Sequence, residues 1–295
     1  MKADGRFRRG LKRVAPVRAL PRRLTGLVGA ALALGVAAAE PELTVTVSGR
    51  MATYAPAALL GLPSATTLTI PNDVAYKREM TYRAVPMAGL LTGAAADESI
   101  RFVAQDGFVA TLPVAPLLAR DGAVAYLAVE SSDAPWPALK AGKATSAGPF
   151  YLVWLHPERG GIVPAQWPYR IARIESVAPL ARRYPALAPA PGLSARDPAR
   201  HGFAVYERYC ATCHTLNMAG DANIGPDLNV PYNPTEYMRV DSLRHLIRDP
   251  QSLRRWPGAK MPGFGASVLS DRDLNDLLAY LRHMADRKVS GLVAK

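Results

Sequence analysis

The chain has 295 residues, enough for two domains that each bury a core, and its 49% hydrophobic and 20% charged content is typical of globular proteins. That composition excludes a wholly disordered chain and a polytopic membrane protein. The net charge of +12 does not indicate nucleic-acid binding, because nine of the 36 basic residues precede position 40, against one acid. The rest of the chain has 27 basic and 23 acidic residues, a balance of only +4.

The first 39 residues have the pattern of a signal peptide. A basic region runs to Arg23, the apolar stretch "LTGLVGAALALGVAAA" follows, and the small residues Ala37–Ala39 precede Glu40. The apolar stretch is shorter than the ~20 residues that a membrane-spanning helix needs, which favours a cleaved signal. We therefore expect export to the periplasm, with membrane attachment only if the signal stays uncleaved.

Residues 41–178 are predicted to form a mostly β (α+β) domain. Period-two alternation or β-rich composition indicates strands in "LTVTVSG", "TTLTIPN", "FVAQDGFVATLP", "AYLAVE", "FYLVWLHP" and "YRIARIESV". Asp106–Gly107 between alternating apolar residues predicts a hairpin, because glycine tolerates the positive φ of a type I′ turn. "APAALLGL" and "VPMAGLLTG" predict short helices between the strands.

Residues 179–196 are rich in proline and alanine, which predicts a semi-extended linker between two domains. Residues 197–290 are then predicted to form a small all-α domain with three main helices. Their start and stop signals are Asp197 with Pro198, Asp241 with Pro250, and Ser270 with Asp273.

Both cysteines of the chain lie in "CATCH", as Cys210 and Cys213, and His214 follows directly. A zinc site would need four protein ligands, and a thioredoxin-like pair would follow a strand rather than a helix. A disulfide across two intervening residues would close a very small loop and add little stability. C-x-x-C-H is the pattern that attaches one haem c covalently through two thiols, with the histidine as axial iron ligand.

The second axial ligand is predicted to be Met261, because "AKMPGFG" is a loop sequence that can bring a thioether to the iron. A haem with His245 as sixth ligand, or with an open sixth site, remains an alternative. The other downstream candidates lie in predicted helices or too near His214: Met218, Met238, His283 and Met284.

Residues 197–290 resemble a class I c-type cytochrome. The resemblance rests on four stretches in order: "GFAVYERYCATCH", "IGPDLN", "KMPGF" and "LLAYLRHM". It implies that Gly202, Tyr206 and Tyr280 lie where the first and last helices cross. It also implies that the Pro226 carbonyl accepts the axial histidine N–H, and that Met261 is the distal ligand.

A basic cluster precedes the predicted distal ligand and consists of Arg254, Arg255, Trp256 and Lys260. Its side chains can neutralise haem propionates or meet an acidic partner, and a solvated basic loop is the alternative interpretation.

Residues 43–176 resemble the molybdopterin-binding domain of sulfite oxidase-like oxidoreductases. The stretches that resemble it are "TYRAVPMAGLL", "IRFVAQDGFVATLP", "AYLAVE", "AGPFYLVW" and "WPYRIARIE". That family holds molybdenum through a cysteine thiolate, and this region has no cysteine, so the resemblance implies the fold without molybdopterin. The same absence argues against a blue-copper site. His156 is predicted to be a surface residue, and Trp136, Trp154 and Trp167 core or edge aromatics.

These features favour an electron carrier over a catalyst. The predicted protein is a monohaem cytochrome that transfers single electrons from a periplasmic dehydrogenase to an oxidase or another cytochrome, with the N-terminal domain as a docking or scaffold module. One alternative is a sulfite dehydrogenase-like oxidoreductase whose N-terminal domain carries substrate chemistry. Another is a haem-based ligand sensor, which would need an open or labile sixth site.

Overall fold

The computed structural model describes residues 40–255, 258–259 and 261–289. The predicted signal peptide, residues 1–39, lies outside the described residues, as do Trp256 and Lys260 of the predicted basic cluster. None of the described helices is long and apolar enough to cross a membrane.

The first part of the described chain consists mainly of strands in two sheets. The strands are β1 (Leu43–Val47), β2 (Arg50–Tyr54), β3 (Thr66–Ile70), β4 (Met80–Pro86), β5 (Ser99–Ala104), β6 (Val109–Pro113), β7 (Val124–Val129), β8 (Phe150–Leu155) and β9 (Ile171–Val177). One sheet has the order β2-β1-β9-β5-β6, with β1 and β9 parallel and the other pairs antiparallel. The other has the antiparallel order β3-β4-β7-β8.

The strands were predicted from alternation of apolar and polar residues. Their burial in the structure explains which strands this pattern indicated and which it did not. β1 alternates buried and partly buried residues, so its sequence alternates too. β2 was not predicted, because its residues are exposed or partly exposed and it forms an edge of its sheet. β4, also not predicted, alternates but contains Arg83 and ends at a proline. At the predicted hairpin, Gly107 has a φ of +85° between β5 and β6.

Short helices connect the strands, and the C-terminal part contains longer helices together with short ones. They are α1 (Pro56–Leu60), α2 (Met87–Leu90), α3 (Val114–Leu118), α4 (Leu180–Arg183), α5 (Pro198–Tyr209), α6 (Pro234–Tyr237), α7 (Val240–Arg248), α8 (Pro250–Leu253) and α9 (Asp271–Ala285). Asp197 accepts a hydrogen bond from the Ala199 N–H at the start of α5, as its position predicted. Ser270 accepts one from the Asp273 N–H at the start of α9.

Two local predictions were wrong. Asp241 does not cap α7, because the helix begins one residue earlier, and Asp241 lies in its first turn. Residues 179–196 are not a semi-extended linker, since they contain α4 and a 3-10 turn at Pro185–Leu187. The apolar residues Leu180 and Leu187 of this segment are buried in the helical core. This tertiary packing stabilises the folded segment, and its proline content does not indicate it.

The described residues from Glu40 onward form one compact unit with two hydrophobic cores. The larger core lies between and around the two sheets, and Trp154, Tyr82 and Phe102 are among its fully buried side chains. The smaller core lies among α5, α7 and α9 and also takes in Val163 from the β part. The helical part is therefore packed against the β part rather than tethered to it.

Candidate functional site

Helix α5 leads directly into the cysteine-containing motif. The Cys210 N–H donates to the Tyr206 carbonyl at 2.8 Å, and the His214 N–H donates to the Cys210 carbonyl at 2.8 Å. The backbone thus continues through helical turns from Cys210 to His214, which keeps the two thiols and the imidazole close along the chain. Cys210 and Cys213 are free thiols rather than a disulfide. Burial raises the pKa of Cys210 to about 12, so this thiol is protonated in the haem-free chain.

The imidazole of His214 is oriented by the segment that follows the motif. Its Nδ1 atom lies 2.8 Å from the Pro226 carbonyl oxygen. A carbonyl oxygen only accepts hydrogen bonds, so Nδ1 carries the proton and Nε2 keeps its lone pair. Burial lowers the pKa of His214, which also favours the neutral ring. Neutral imidazole with a free Nε2 is the form that ligates iron.

The glycine before Pro226 allows this close approach. A Cβ atom placed on Gly225 would lie 2.5 Å from Cε1 and 2.6 Å from Nδ1 of His214. The Gly225 N–H also donates to the Cys213 carbonyl at 2.7 Å, so the loop closes back on the motif. Any residue with a side chain at position 225 would displace the imidazole.

The crossing of α5 and α9 lies beside the cysteine-containing motif and contacts it through Tyr206. A Cβ on Gly202 would lie 1.9 Å from the Asp276 carbonyl oxygen, so only glycine permits this helix contact. The rings of Tyr206 and Tyr280 pack with centroids 5.6 Å apart. The Tyr206 hydroxyl donates to the His214 carbonyl at 2.7 Å, which links the helix crossing to His214.

Sequence reasoning missed a ladder of buried asparagines between the loop and α9. Asn229 donates to the side chain of Asn217 and to the Met284 carbonyl, and Asn233 donates to Asn229 and to the Leu281 carbonyl. All three asparagines are buried. The signal available in the sequence was the density of Asn and Asp in "NMAGDANIGPDLNVPYNP", a composition that is otherwise typical of exposed turns.

The candidate sixth ligands differ in their surroundings. Met261 is partly buried and packs against the helical core. His245 Nε2 hydrogen-bonds with Ser252 Oγ at 2.6 Å, and His283 Nε2 accepts from the Ala190 N–H at 3.0 Å, so both rings have protein partners.

The three other methionines that were candidate ligands differ in their burial. Met284 is buried in the helical core, Met238 packs against it, and Met218 is 60% exposed. Of the predicted basic cluster, Arg254 and Arg255 are exposed.

Asp221, seven residues past His214, joins the helical part to the β part. It accepts two hydrogen bonds from Arg183, at 2.8 and 2.7 Å, and one from the Tyr184 hydroxyl at 2.9 Å. Arg101 of β5 and Thr111 of β6 contact the same carboxylate at 3.3 and 3.4 Å. Burial acts to raise the pKa of Asp221, but these donors, above all Arg183, hold it below its ordinary value.

The β part offers no comparable site. Across the described residues, no group of three or more His, Cys, Asp or Glu side chains is arranged to hold a metal ion. His156 is exposed and lies 3.7 Å from Glu158. Its φ of 50° is explained by the turn after β8, since a 3-10 turn begins at the next residue. Trp154 and Trp167 are buried and Trp136 is partly buried among Tyr82 and Tyr151.

The comparisons with known proteins concern the helical part. Residues 197–281 match the family described as "Cytochrome C oxidase, cbb3-type, subunit III". No curated protein matches the chain. The matched stretch begins at the Asp197 cap and ends within α9, so it contains the C-x-x-C-H motif, the loop with Pro226 and Met261. The C-terminal part of this protein is therefore a cytochrome c domain, a domain type that binds haem and exchanges electrons with redox partners.

Proposed function

We propose that the protein is a periplasmic monohaem electron carrier that transfers single electrons between a dehydrogenase and a downstream oxidase or cytochrome. One haem c would be bound covalently by Cys210 and Cys213, with His214 and Met261 as the residues that would bind its iron. The observation that carries the proposal is the orientation of His214, whose Nδ1 is 2.8 Å from the Pro226 carbonyl oxygen while its Nε2 makes no hydrogen bond among the described residues.

The residues around the motif fit a covalently attached haem. Both thiols are free and follow the same helical turns as the imidazole. Met261 lies in a loop, partly buried against the helical core, whereas the two alternative histidines have hydrogen-bond partners. When bound, the haem supplies a one-electron Fe(III)/Fe(II) couple, and a thioether ligand raises its potential relative to a second imidazole.

The protein itself would contribute position and surroundings rather than bond chemistry. The Pro226 carbonyl holds the proton of His214 on Nδ1, and the hydrogen bond from Tyr206 holds the backbone of the same residue. The asparagine ladder fixes the loop between Asn217 and Asn233 to α9. A rigid ligand set suits electron transfer, because little reorganisation accompanies each change of oxidation state.

The N-terminal part would serve as a scaffold or docking module with the fold of the sulfite oxidase-like family but without molybdopterin. It has no cysteine that could bind molybdenum, and its described side chains form no metal-binding group. It contacts the cytochrome domain through Asp221 and through the Arg208 side chain, which donates to the Gly161 carbonyl. This attachment supports a docking role, because it would present the β part and the cytochrome domain to a partner as one body.

Purified protein tests the proposal through its metals and its optical spectrum. We expect one haem iron per chain, no molybdenum, haem that resists extraction by acid and acetone, and a ferric spectrum with the methionine-to-iron charge-transfer band. The double variant Cys210→Ser/Cys213→Ser should lose covalent haem, whereas Met261→Leu should keep covalent haem but lose the charge-transfer band. Stoichiometric molybdenum would contradict the scaffold role, and a wild-type ferrous protein that binds carbon monoxide fully would contradict the carrier.

Export is tested separately, by fractionation of cells that express the full chain. We expect haem-loaded protein in the periplasmic fraction with its N-terminus near Glu40. Recovery of the intact chain in the membrane fraction would instead support an uncleaved signal that acts as a tether.

A further inference from the structure

A cavity of about 350 Å³ lies between the β part and helix α5, on the side of α5 that faces β6. Its walls are mostly apolar and come from different elements. They include Val109 and Leu112 of β6, Pro116 of α3, Ile162, and Leu180 of α4. This volume is at the lower end of the range of roughly 300–1,000 Å³ that small-molecule sites occupy.

One carboxyl group in this cavity has no protein partner. Glu207 of α5 lines the cavity and makes no hydrogen bond or ion pair with any of the described residues. The two other charged lining residues are engaged elsewhere, Asp221 by Arg183 and Arg208 by the Gly161 carbonyl. Burial raises the pKa of Glu207 to about 7, which reflects the apolar surroundings of this group.

The cavity connects solvent with the cysteine-containing motif. Gly160, Ala204 and Arg208 line it and are exposed, so they mark its mouth. Ala211 and Thr212, the two residues between the cysteines, line it as well and are more buried. A molecule that entered beside Ala204 would thus lie against the segment that is proposed to carry the haem.

We propose that this cavity binds a small aromatic alcohol or phenol, whose hydroxyl group hydrogen-bonds to Glu207 and whose ring contacts the apolar wall. The ring is indicated by the apolar wall and by the limited volume. The hydroxyl is indicated by the Glu207 carboxyl, which is partly buried and makes no hydrogen bond with the described residues, so that a ligand hydroxyl can supply one. A hydroxyl donates a hydrogen bond to an ionised carboxylate, and it both donates to and accepts from a protonated carboxyl. A ligand hydroxyl can therefore hydrogen-bond to Glu207 in either protonation state.

Titration of the haem-loaded protein with 4-fluorophenol, followed by fluorine NMR, tests this site. We expect a saturable shift of the probe signal with one site per chain. The matched probe 4-fluorotoluene has nearly the same size but no hydroxyl, and it should bind about tenfold more weakly, the loss expected for one hydrogen bond to a charged or buried group. Equal affinity for the two probes, or no saturation by either, would overturn the proposal.

Two variants locate the site. Glu207→Leu should weaken 4-fluorophenol binding about tenfold and leave 4-fluorotoluene binding unchanged, because it removes only the hydrogen-bond acceptor. Ala204→Phe fills the exposed mouth of the cavity and should abolish the binding of both probes. This variant tests the site even if Glu207→Leu does not fold. Glu158→Leu, at an exposed carboxylate outside the cavity, is the control and should bind both probes like the wild type.

The optical spectrum and circular dichroism of each variant establish that it is folded and haem-loaded. Full 4-fluorophenol affinity in folded Ala204→Phe would place the binding elsewhere and contradict the proposed cavity. These outcomes are independent of the electron-carrier proposal, since they measure binding rather than electron transfer.

Discussion

Asp221 and Arg183 form a two-point ion pair, with Oδ1 2.8 Å from Nη1 and Oδ2 2.7 Å from Nη2. The two side chains are only 9% and 16% exposed. Asp221 lies just after the cysteine-containing motif and also contacts Arg101 of the sheet. The pair therefore holds together the loop that follows the cysteine-containing motif, the segment that precedes the cytochrome domain, and the β part.

Replacement of this carboxylate is expected to destabilise the whole described unit. Asp221→Ala should lower the free energy of unfolding by about 2–4 kcal/mol, because the largely buried Arg183 loses its carboxylate partner. Chemical denaturation followed by circular dichroism measures the change. Asp97→Ala is the matched control: it also removes an arginine partner, Arg182, but both side chains are more than half exposed, and a much smaller effect is expected. Equal losses in the two variants would contradict the role of Asp221.

The same ion pair predicts an acid-sensitive contribution to stability. Despite burial, which acts to raise it, the pKa of Asp221 is below its ordinary value in the folded protein because of Arg183 and Tyr184. A carboxyl with a lowered folded pKa stabilises the protein above its unfolded pKa, about 3.9, and this stability is lost as the pH falls through the folded pKa. The stability difference between wild type and Asp221→Asn should be constant from about pH 5 to 8 and shrink below about pH 4. A constant difference at all pH values would argue against this carboxylate as the titrating group.

The raised pKa of Glu207 predicts the opposite pH dependence of stability. Burial raises its folded pKa to about 7, so the folded state binds the proton more tightly than the unfolded state does. Stability from this group is complete below its unfolded pKa, about 4.3, and is lost as the pH rises through 7. Glu207→Gln should therefore raise the free energy of unfolding by about 1–3 kcal/mol at pH 8 and have little effect at pH 4. Unfolding curves of both proteins across this pH range measure it, and a gain that is the same at pH 4 and pH 8 would contradict the assigned pKa.

The crossing of α5 and α9 predicts a strong effect from one added methyl group. Gly202→Ala would place a Cβ 1.9 Å from the Asp276 carbonyl oxygen, so one helix must shift. We expect a loss of about 2 kcal/mol, measured by thermal or chemical unfolding. Gly89→Ala is the matched control, since Gly89 is also helical but has no atom within 4 Å of the added Cβ. It should stabilise the protein by up to about 1 kcal/mol, because alanine loses less backbone entropy than glycine.

The sequence predicted the elements whose signals are local. Asp197 with Pro198 marks the start of α5, and Asp106–Gly107 marks the hairpin between β5 and β6, because caps and tight turns depend on a few adjacent residues. The orientation of His214 toward Pro226 was also expected, but from the resemblance to a family rather than from the residues themselves. The cytochrome c domain in the C-terminal part is confirmed by the family match.

The features that the sequence did not predict depend on contacts between residues that are far apart along the chain. Strand β2 has little buried surface, so no alternation marks it, and it exists because β1 pairs with it. The segment before Asp197 folds because Leu180 and Leu187 enter the helical core. Asn229 and Asn233 can be buried because backbone carbonyls near the end of α9 accept hydrogen bonds from their side-chain amides, and the sequence does not show which helix end will contact them. The fold resemblance of the N-terminal part stays a prediction.

The close contact between Gly225 and His214 predicts that a side chain at position 225 displaces the imidazole. In Gly225→Ala the new Cβ would lie 2.5 Å from the His214 ring, and the neighbouring Pro226 keeps the loop from yielding easily. We expect the imidazole to move, the bond to the Pro226 carbonyl to lengthen, and the haem-loaded protein to lose about 1–3 kcal/mol of unfolding free energy. The ferric optical spectrum should also shift toward a weaker axial field, which a stability change alone would not produce. Gly265→Ala, in the loop that follows Met261, has no atom within 4 Å of the added Cβ and is the control. A Gly225→Ala protein with the spectrum and stability of Gly265→Ala would show that His214 does not depend on this contact.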